Sequence, residues 1–123
     1  MKKILIVDDE DSVREILSRL LKAAQFEVLL ARDGIEGLKK AKKSLPDLVV
    51  SDVVMPELDG ISLCAAVKND PTTGHIPFLF ITTQAKIGEI EEAMKHSPDG
   101  YITKPFELPR IMQKVHALLK NSH

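Results

Sequence analysis

Four mostly apolar stretches of this chain end at side chains that could take part in chemistry. The stretches and the residues after them are Ile4–Val7 before Asp8 and Asp9, Leu48–Ser51 before Asp52, Phe78–Ile81 before Thr82 and Thr83, and Tyr101–Thr103 before Lys104 and Pro105. Runs of this kind are typical of buried strands in a parallel sheet. The carboxyl ends of such strands open onto one crevice, where ligands bind. Carboxylates, a hydroxyl and an amine gathered there would suit a divalent cation and a phosphoryl group.

The elements that must position these groups alternate along the chain. We predict strands at 3–7, 27–31, 48–52, 78–82 and 101–103, and helices at 12–24, about 35–44, 61–69, about 86–95 and 108–120. Because helices separate the strands, the pattern indicates an α/β fold with a parallel sheet covered on both faces.

The helix starts and the apolar helix faces can also be predicted. Asp11 or Ser12 could cap the first helix, and Glu15 completes a capping-box pattern with Ser12. Asp33 is placed to cap the second helix. The residues predicted to face inward at helical spacing are Val13, Ile16, Leu17, Leu20, Leu21 and Ala24 in the first helix, and Ile35, Leu38 and Ala41 in the second.

Length and composition limit the classes of function. With 123 residues the chain forms one domain, 1–123, large enough for a real core. A net charge of −1 gives no reason to expect general affinity for nucleic acid or anionic membrane. No apolar run approaches a membrane span. The single cysteine, Cys64, rules out an intrachain disulfide, so we expect a reducing, cytoplasmic setting.

In this order, the polar strand ends resemble the receiver domain of bacterial response regulators, the chemotaxis-type switch of two-component signalling. The resemblance covers the whole chain. It is carried by Asp8-Asp9, Asp52, Thr82, Lys104-Pro105, Met55-Pro56, Asp59-Gly60 and Ile76-Pro77. It implies a doubly wound, flavodoxin-like sheet with strand order 2-1-3-4-5, and it implies that Asp52 accepts a phosphoryl group from a histidine kinase or a phosphotransfer protein.

The resemblance also implies a metal site beside the acceptor. A carboxylate can act as the nucleophile on phosphorus, but like charges gathered around it repel each other. Mg²⁺ removes that conflict and takes oxygen ligands at ~2.0–2.1 Å; Mn²⁺ can substitute for it. By the resemblance, Asp9 and Asp52 bind the ion directly, Asp8 binds it through water, and Val54 contributes its backbone carbonyl.

The remaining roles follow from the same likeness. Lys104 supplies a point charge to a phosphate oxygen, and Thr82 supplies a hydroxyl donor. Tyr101 holds the position of the family's switch aromatic, and Pro105 that of its cis proline. The readout face would combine the predicted fourth helix, the fifth strand and the last helix.

The implied function is a phosphoacceptor switch that assists its own phosphorylation and dephosphorylation, rather than an enzyme acting on a separate substrate. Its partners would be the phosphodonor and an output domain or downstream protein. The domain itself would bind neither nucleic acid nor membrane, and a homodimer that forms on phosphorylation is left open. The chain is either a stand-alone receiver or part of a longer regulator or hybrid kinase.

Taken singly, each residue has a second interpretation. Asp8 and Asp9 could cap the first helix, Thr82 could be an ordinary strand residue, and Lys104 could be a solvated lysine. Glu10 and Asp11 are interpreted as solvent or cap groups rather than ligands.

Three other functions compete with the switch. A flavodoxin-like cofactor binder needs a phosphate-cradling loop after the first strand, where Asp8 and Asp9 would repel phosphate. A phosphatase-type hydrolase needs an Asp-x-Asp pattern in the first strand, which is absent. A degenerate receiver that serves only as a scaffold is disfavoured by the intact acceptor set.

Overall fold

The fold comes from a computed structural model that describes residues 1–53, 55, 57–83, 99–104 and 106–120. The predicted helix at 86–95 and the Pro105 bond lie outside these residues. The elements are β1 (Lys3–Val7), α1 (Asp11–Ala23), β2 (Glu27–Ala31), α2 (Gly34–Ser44), β3 (Leu48–Asp52), α3 (Gly60–Asn69), β4 (Phe78–Thr83), β5 (Gly100–Lys104) and the C-terminal helix (Leu108–Lys120).

The described residues form one sheet of five parallel strands in the order β2-β1-β3-β4-β5. This confirms the strand order implied by the resemblance. The register sets Val7 beside Ser51, Asp52 beside Ile81, and Thr82 beside Thr103. The carboxyl ends of the four strands that carry polar groups therefore meet at one edge of the sheet, as predicted.

The core lies in two layers, one on each face of the sheet. Ile4 and Ile6 of β1 belong to the layer that α1 and the C-terminal helix cover. Leu5 and Val7 point the other way, into the layer beneath α2 and α3. Since successive strand side chains alternate between faces, an uninterrupted apolar run fills both layers. The structure confirms the prediction of helices on both faces.

No helix within the described ranges has the length and apolar character that crossing a bilayer requires.

The start of α1 differs from the predicted capping box. Glu10 is the N-cap residue, and no side chain accepts a capping hydrogen bond there. The Asp8 carboxylate instead accepts the Glu10 N–H at 2.9 Å, and the helix begins two residues earlier than a Ser12 cap would require. The capping box is therefore wrong. The Asp33 cap of α2 is confirmed, because its carboxylate accepts the Glu36 N–H at 2.8 Å.

Three residues predicted to face inward are exposed instead: Ile16, Ala24 and Ile35. Ile16 is 48% exposed and Ile35 is 43% exposed. In α2 the buried stripe runs instead through Gly34, Gly37 and Ala41. A Cβ on Gly37 would lie only 2.9 Å from a Val7 methyl group, so this helix packs close to the sheet through residues that lack bulk.

The first residue of α3 lies directly against the strand that carries Asp52. Gly60 donates its N–H to the Val53 carbonyl at 2.7 Å. A Cβ at position 60 would lie 2.0 Å from the Asp52 carbonyl oxygen, which is backbone and cannot rotate away. Glycine is therefore required here for close approach of two backbones.

We predict that Gly60→Ala destabilises the domain by about 2 kcal/mol or more, although alanine normally favours a helix over glycine by about 1 kcal/mol. The matched control is Gly100→Ala, because a Cβ there meets only ordinary contacts at 3.7 Å and beyond. Urea denaturation of both variants measures the difference. Equal stability of Gly60→Ala and the wild type would show that the backbone contact is not as tight as described.

Candidate functional site

Two buried carboxylates form the floor of the crevice. Asp8 follows β1 and Asp52 ends β3, and these residues are 2% and 9% exposed. One oxygen of each is held by the backbone: Asp8 Oδ1 accepts the Glu10 N–H at 2.9 Å, and Asp52 Oδ1 accepts the Val53 N–H at 2.8 Å. Each side chain therefore has a fixed orientation, with the other oxygen, Oδ2, turned to the Lys104 amine.

Lys104 reaches the crevice from the end of β5 and joins three carboxylates. Its Nζ lies 3.4 Å from Asp8 Oδ2 and 3.5 Å from Asp52 Oδ2. The third contact, to Glu10 Oε1, measures 3.3 Å. An ammonium group has three N–H donors, so each carboxylate receives one. The lysine side chain is 15% exposed, which rules out the freely solvated lysine considered from sequence.

Burial sets the electrostatics of the site. Removal from water raises the pKa of the Asp8 carboxyl to about 6, with the charge of Asp52 adding to the rise and Lys104 opposing it. Burial also raises the pKa of Asp52 against the attraction of Lys104. For Lys104, burial lowers the pKa, but the surrounding carboxylates outweigh it and the net shift is upward.

Three acidic side chains come close enough to share a cation. One carboxylate oxygen each from Asp8, Glu10 and Asp52 lies within 4.8 Å of the other two. Asp9, predicted as a direct ligand, is exposed and lies outside this group, although its charge does raise the pKa of Asp52. Its role as a ligand stays a prediction, as does that of the Val54 carbonyl, which lies outside the described residues.

The structure adds Arg14 to the residues that build the site. Its guanidinium donates to the Asp8 carbonyl at 2.6 Å and to the Asp11 carboxylate, with only 11% of the side chain exposed. It therefore fixes the turn between β1 and α1. The only signal for this role in the sequence is the position of Arg14, a basic residue in the first turn of α1 and six residues after Asp8.

Thr82 and Tyr101 lie on the neighbouring strands β4 and β5. Thr82 is fully buried, whereas Tyr101 is 40% exposed. The register pairs Thr82 with Thr103 and Phe80 with Tyr101, and one further pair, Ile81 with Ile102, lies between them. The hydroxyl of Thr82 is thus held at the strand end, and the ring of Tyr101 lies at the surface.

Comparison with known proteins identifies this arrangement. The family described as response regulator receiver domain matches residues 4–116. The chain belongs to that family.

Relatives of this receiver domain occur in several protein contexts. It is 34% identical over 122 residues to the DNA-binding dual master transcriptional regulator RpaA of Synechocystis, covering 99% of this chain and 51% of RpaA. It is 36% identical to histidine kinase P4 of Formosa agariphila, covering 96% of this chain and 8% of the kinase. The structure of the chemotaxis response regulator CheY4 of Vibrio cholerae superimposes with a TM-score of 0.90 at 33% identity, covering 96% of this chain and 98% of CheY4.

The receiver domain therefore spans about half of one curated relative and a small part of another, and it matches nearly the whole of a third protein. Two-component signalling is common to these contexts. What accompanies the receiver domain differs among these proteins, so they do not show which output domain or downstream protein this chain acts on.

Without divalent cations, we predict that Asp8→Asn stabilises the domain at neutral pH. The folded-state pKa of Asp8, about 6, exceeds its ordinary value of 3.8. Wild-type stability from this group is therefore fully present below about pH 4 and is lost as pH rises through 6. The gain in the variant should grow across that window to about 2–3 kcal/mol. Denaturation in EDTA at several pH values measures it, and a gain that does not change with pH would contradict the assigned cause.

Proposed function

We propose that this domain is a phosphorylation-dependent signalling switch that accepts a phosphoryl group on Asp52 from a histidine kinase or phosphotransfer protein. One observation carries the proposal: the Asp52 carboxylate is oriented by the Val53 N–H and faces the Lys104 amine at the open edge of the sheet. Carboxylates can act as nucleophiles on phosphorus when they are held in place and the developing charge is neutralised.

Each residue of the site would contribute to positioning or charge. An oxygen of Asp52 attacks phosphorus, and Lys104 contacts an oxygen of the transferred group as a point charge. The hydroxyl of Thr82 donates to another phosphoryl oxygen. Asp8 and its neighbours place negative charge close by, so the site requires more positive charge than one amine supplies.

The donor set fits a hard divalent cation. Carboxylate oxygens are the ligands that Mg²⁺ prefers. Three of them lie close together here, and burial, with the nearby charge of Asp52, raises the pKa of the Asp8 carboxyl. When bound, Mg²⁺ would neutralise charge around the phosphoryl group. Asp9, Asp52 and the Val54 carbonyl would hold it directly and Asp8 through water, and Mn²⁺ could take its place.

The phosphorylated state would be relayed through the face formed by β5, the C-terminal helix and the segment 86–95. Movement of Thr82 toward the phosphoryl group would leave space into which the ring of Tyr101 can turn. Partners on this face would be an output domain or a downstream protein, with a homodimer as one outcome of phosphorylation. We place the domain in the cytoplasm, in line with its single cysteine. We expect no direct contacts to nucleic acid or membrane, because a net charge of −1 favours neither.

We predict that Mg²⁺ raises the melting temperature of the wild type in proportion to the occupancy of the site. Asp9→Asn should require a higher Mg²⁺ concentration for the same shift. Glu15→Gln is the matched control, because Glu15 lies on the same segment but pairs with Arg19. Thermal melts across a Mg²⁺ titration measure both. Identical titrations for the wild type and Asp9→Asn would remove Asp9 from the ligand set.

We predict that acetyl phosphate with Mg²⁺ adds one phosphoryl group that hydroxylamine removes, as expected for an acyl phosphate. Asp52→Asn should abolish this modification. Asp33→Asn should retain it, since asparagine can still cap α2. Intact-mass measurement with mapping of the modified residue decides the matter. A modification that persists in Asp52→Asn and maps to serine or threonine would refute the proposed acceptor.

A further inference from the structure

Glu10 lies at the mouth of the site, and the proposed function gives it no role. Its carboxylate lies 3.3 Å from the Lys104 amine, which is as near as either buried carboxylate. Its side chain is 57% exposed, against 3% for Asp8 and 11% for Asp52. Glu10 therefore covers the amine on the solvent side, from which a phosphodonor must approach.

The contact between Glu10 and Lys104 is the one best able to break. The other two carboxylates are each held by a backbone N–H, from Glu10 onto Asp8 and from Val53 onto Asp52. Among the described residues, the Glu10 carboxylate has no hydrogen-bond partner besides the Lys104 amine. An exposed ion pair of this kind contributes little stability, about 0–1 kcal/mol.

Lys104 cannot keep all three carboxylates and also bind a phosphoryl oxygen. The three N–H donors of an ammonium group match the three carboxylates that surround it here. One carboxylate has to withdraw when the phosphoryl group arrives. The weak hold on Glu10 makes it the residue that withdraws.

We propose that Glu10 is a specificity-determining residue for the phosphodonor. Its carboxylate occupies the position at the Lys104 amine that an oxygen of the transferred group takes, and it selects against donors of high negative charge. This inference rests on the proposed function, because it requires Asp52 to accept a phosphoryl group.

Small phosphodonors of different charge allow the inference to be tested. In each transfer an oxygen of Asp52 bonds to phosphorus as the bond from phosphorus to the leaving group breaks. Acetyl phosphate releases acetate, whose oxygen keeps the electron pair. Phosphoramidate releases ammonia, because its nitrogen is already protonated and keeps the pair. Glu10 takes part in neither bond, so it acts through charge and through its hold on Lys104.

The two donors should respond differently to loss of the Glu10 charge. Near neutral pH acetyl phosphate is a dianion, whereas phosphoramidate is a monoanion because its nitrogen is protonated. Electrostatic repulsion scales with the product of the charges. Glu10 should therefore slow transfer from acetyl phosphate more than transfer from phosphoramidate.

The experiment measures the rate constant of Asp52 phosphorylation with each donor, at a Mg²⁺ concentration that saturates every variant. Glu10→Gln should accelerate transfer from acetyl phosphate by about three- to tenfold, and transfer from phosphoramidate by a smaller factor. Glu10→Asp keeps the charge and should retain the wild-type ratio between the donors. Glu15→Gln removes the same charge from a residue paired with Arg19 and should change neither rate.

Three results would overturn the inference: rates of Glu10→Gln that match the wild type, an equal acceleration with both donors, or slower transfer with both. The last would mean that Glu10 helps to hold the cation. Failure of the proposed function is distinct, because the wild type itself would then form no acyl phosphate with either donor. Melting curves of all variants in EDTA check that each one folds.

Discussion

The burial of two carboxylates, Asp8 and Asp52, at one end of the sheet is the constraint on which the rest of this site depends. Both carboxylates are buried at neighbouring strand ends, where burial disfavours their charged forms. One amine, from Lys104, is shared among these two and Glu10. The charge of the described cluster therefore stays negative at neutral pH. That imbalance costs stability without a cation, and it is also what would attract a cation.

Close backbone contacts around Asp52 and Asp8 hold the two carboxylates in place. Gly60 packs against the carbonyl of Asp52 and Gly34 against the carbonyl of Leu58, each so closely that a Cβ would lie 2.0 Å from the oxygen. The starts of α2 and α3 are thereby fixed to the loop after β3. On the other side, Arg14 ties the turn before α1 to the carbonyl of Asp8. With the main chain fixed from both sides, the long side chains of Lys104 and Glu10 are the parts that can exchange partners.

The sequence predicted the sheet because buried parallel strands leave an unambiguous pattern, apolar runs that stop at polar residues. The same pattern predicts that Asp8, Asp52 and Lys104 lie together, as they do in the structure. Properties that depend on three-dimensional packing were not predictable in this way. Ile16 and Ile35 fit a helical spacing yet face solvent. For Ile35 the reason is that the buried face of α2 is set by Gly34 and Gly37, which let the helix approach the sheet. The sequence favours a solvent or cap group at Glu10, and Glu10 is the N-cap residue of α1. Its contact with Lys104, 94 residues later, depends on the fold and leaves no local signal in the sequence.

Phosphorylation would act on this cluster by changing partners rather than by creating a new site. The phosphoryl group adds negative charge beside carboxylates that already share a single amine, so Lys104 must release one of them and further donors must be drawn in. Thr82 is fully buried, and dense packing allows its hydroxyl to move only if neighbouring groups move as well. The ring of Tyr101, which is partly exposed on the next strand, has the freedom to do so. The added negative charge of a phosphoryl group could thus produce a two-state rearrangement of Thr82 and Tyr101 that reaches the surface. The Glu10 contact would add a threshold to that rearrangement, because the incoming group would have to compete with a carboxylate already bound to the same amine.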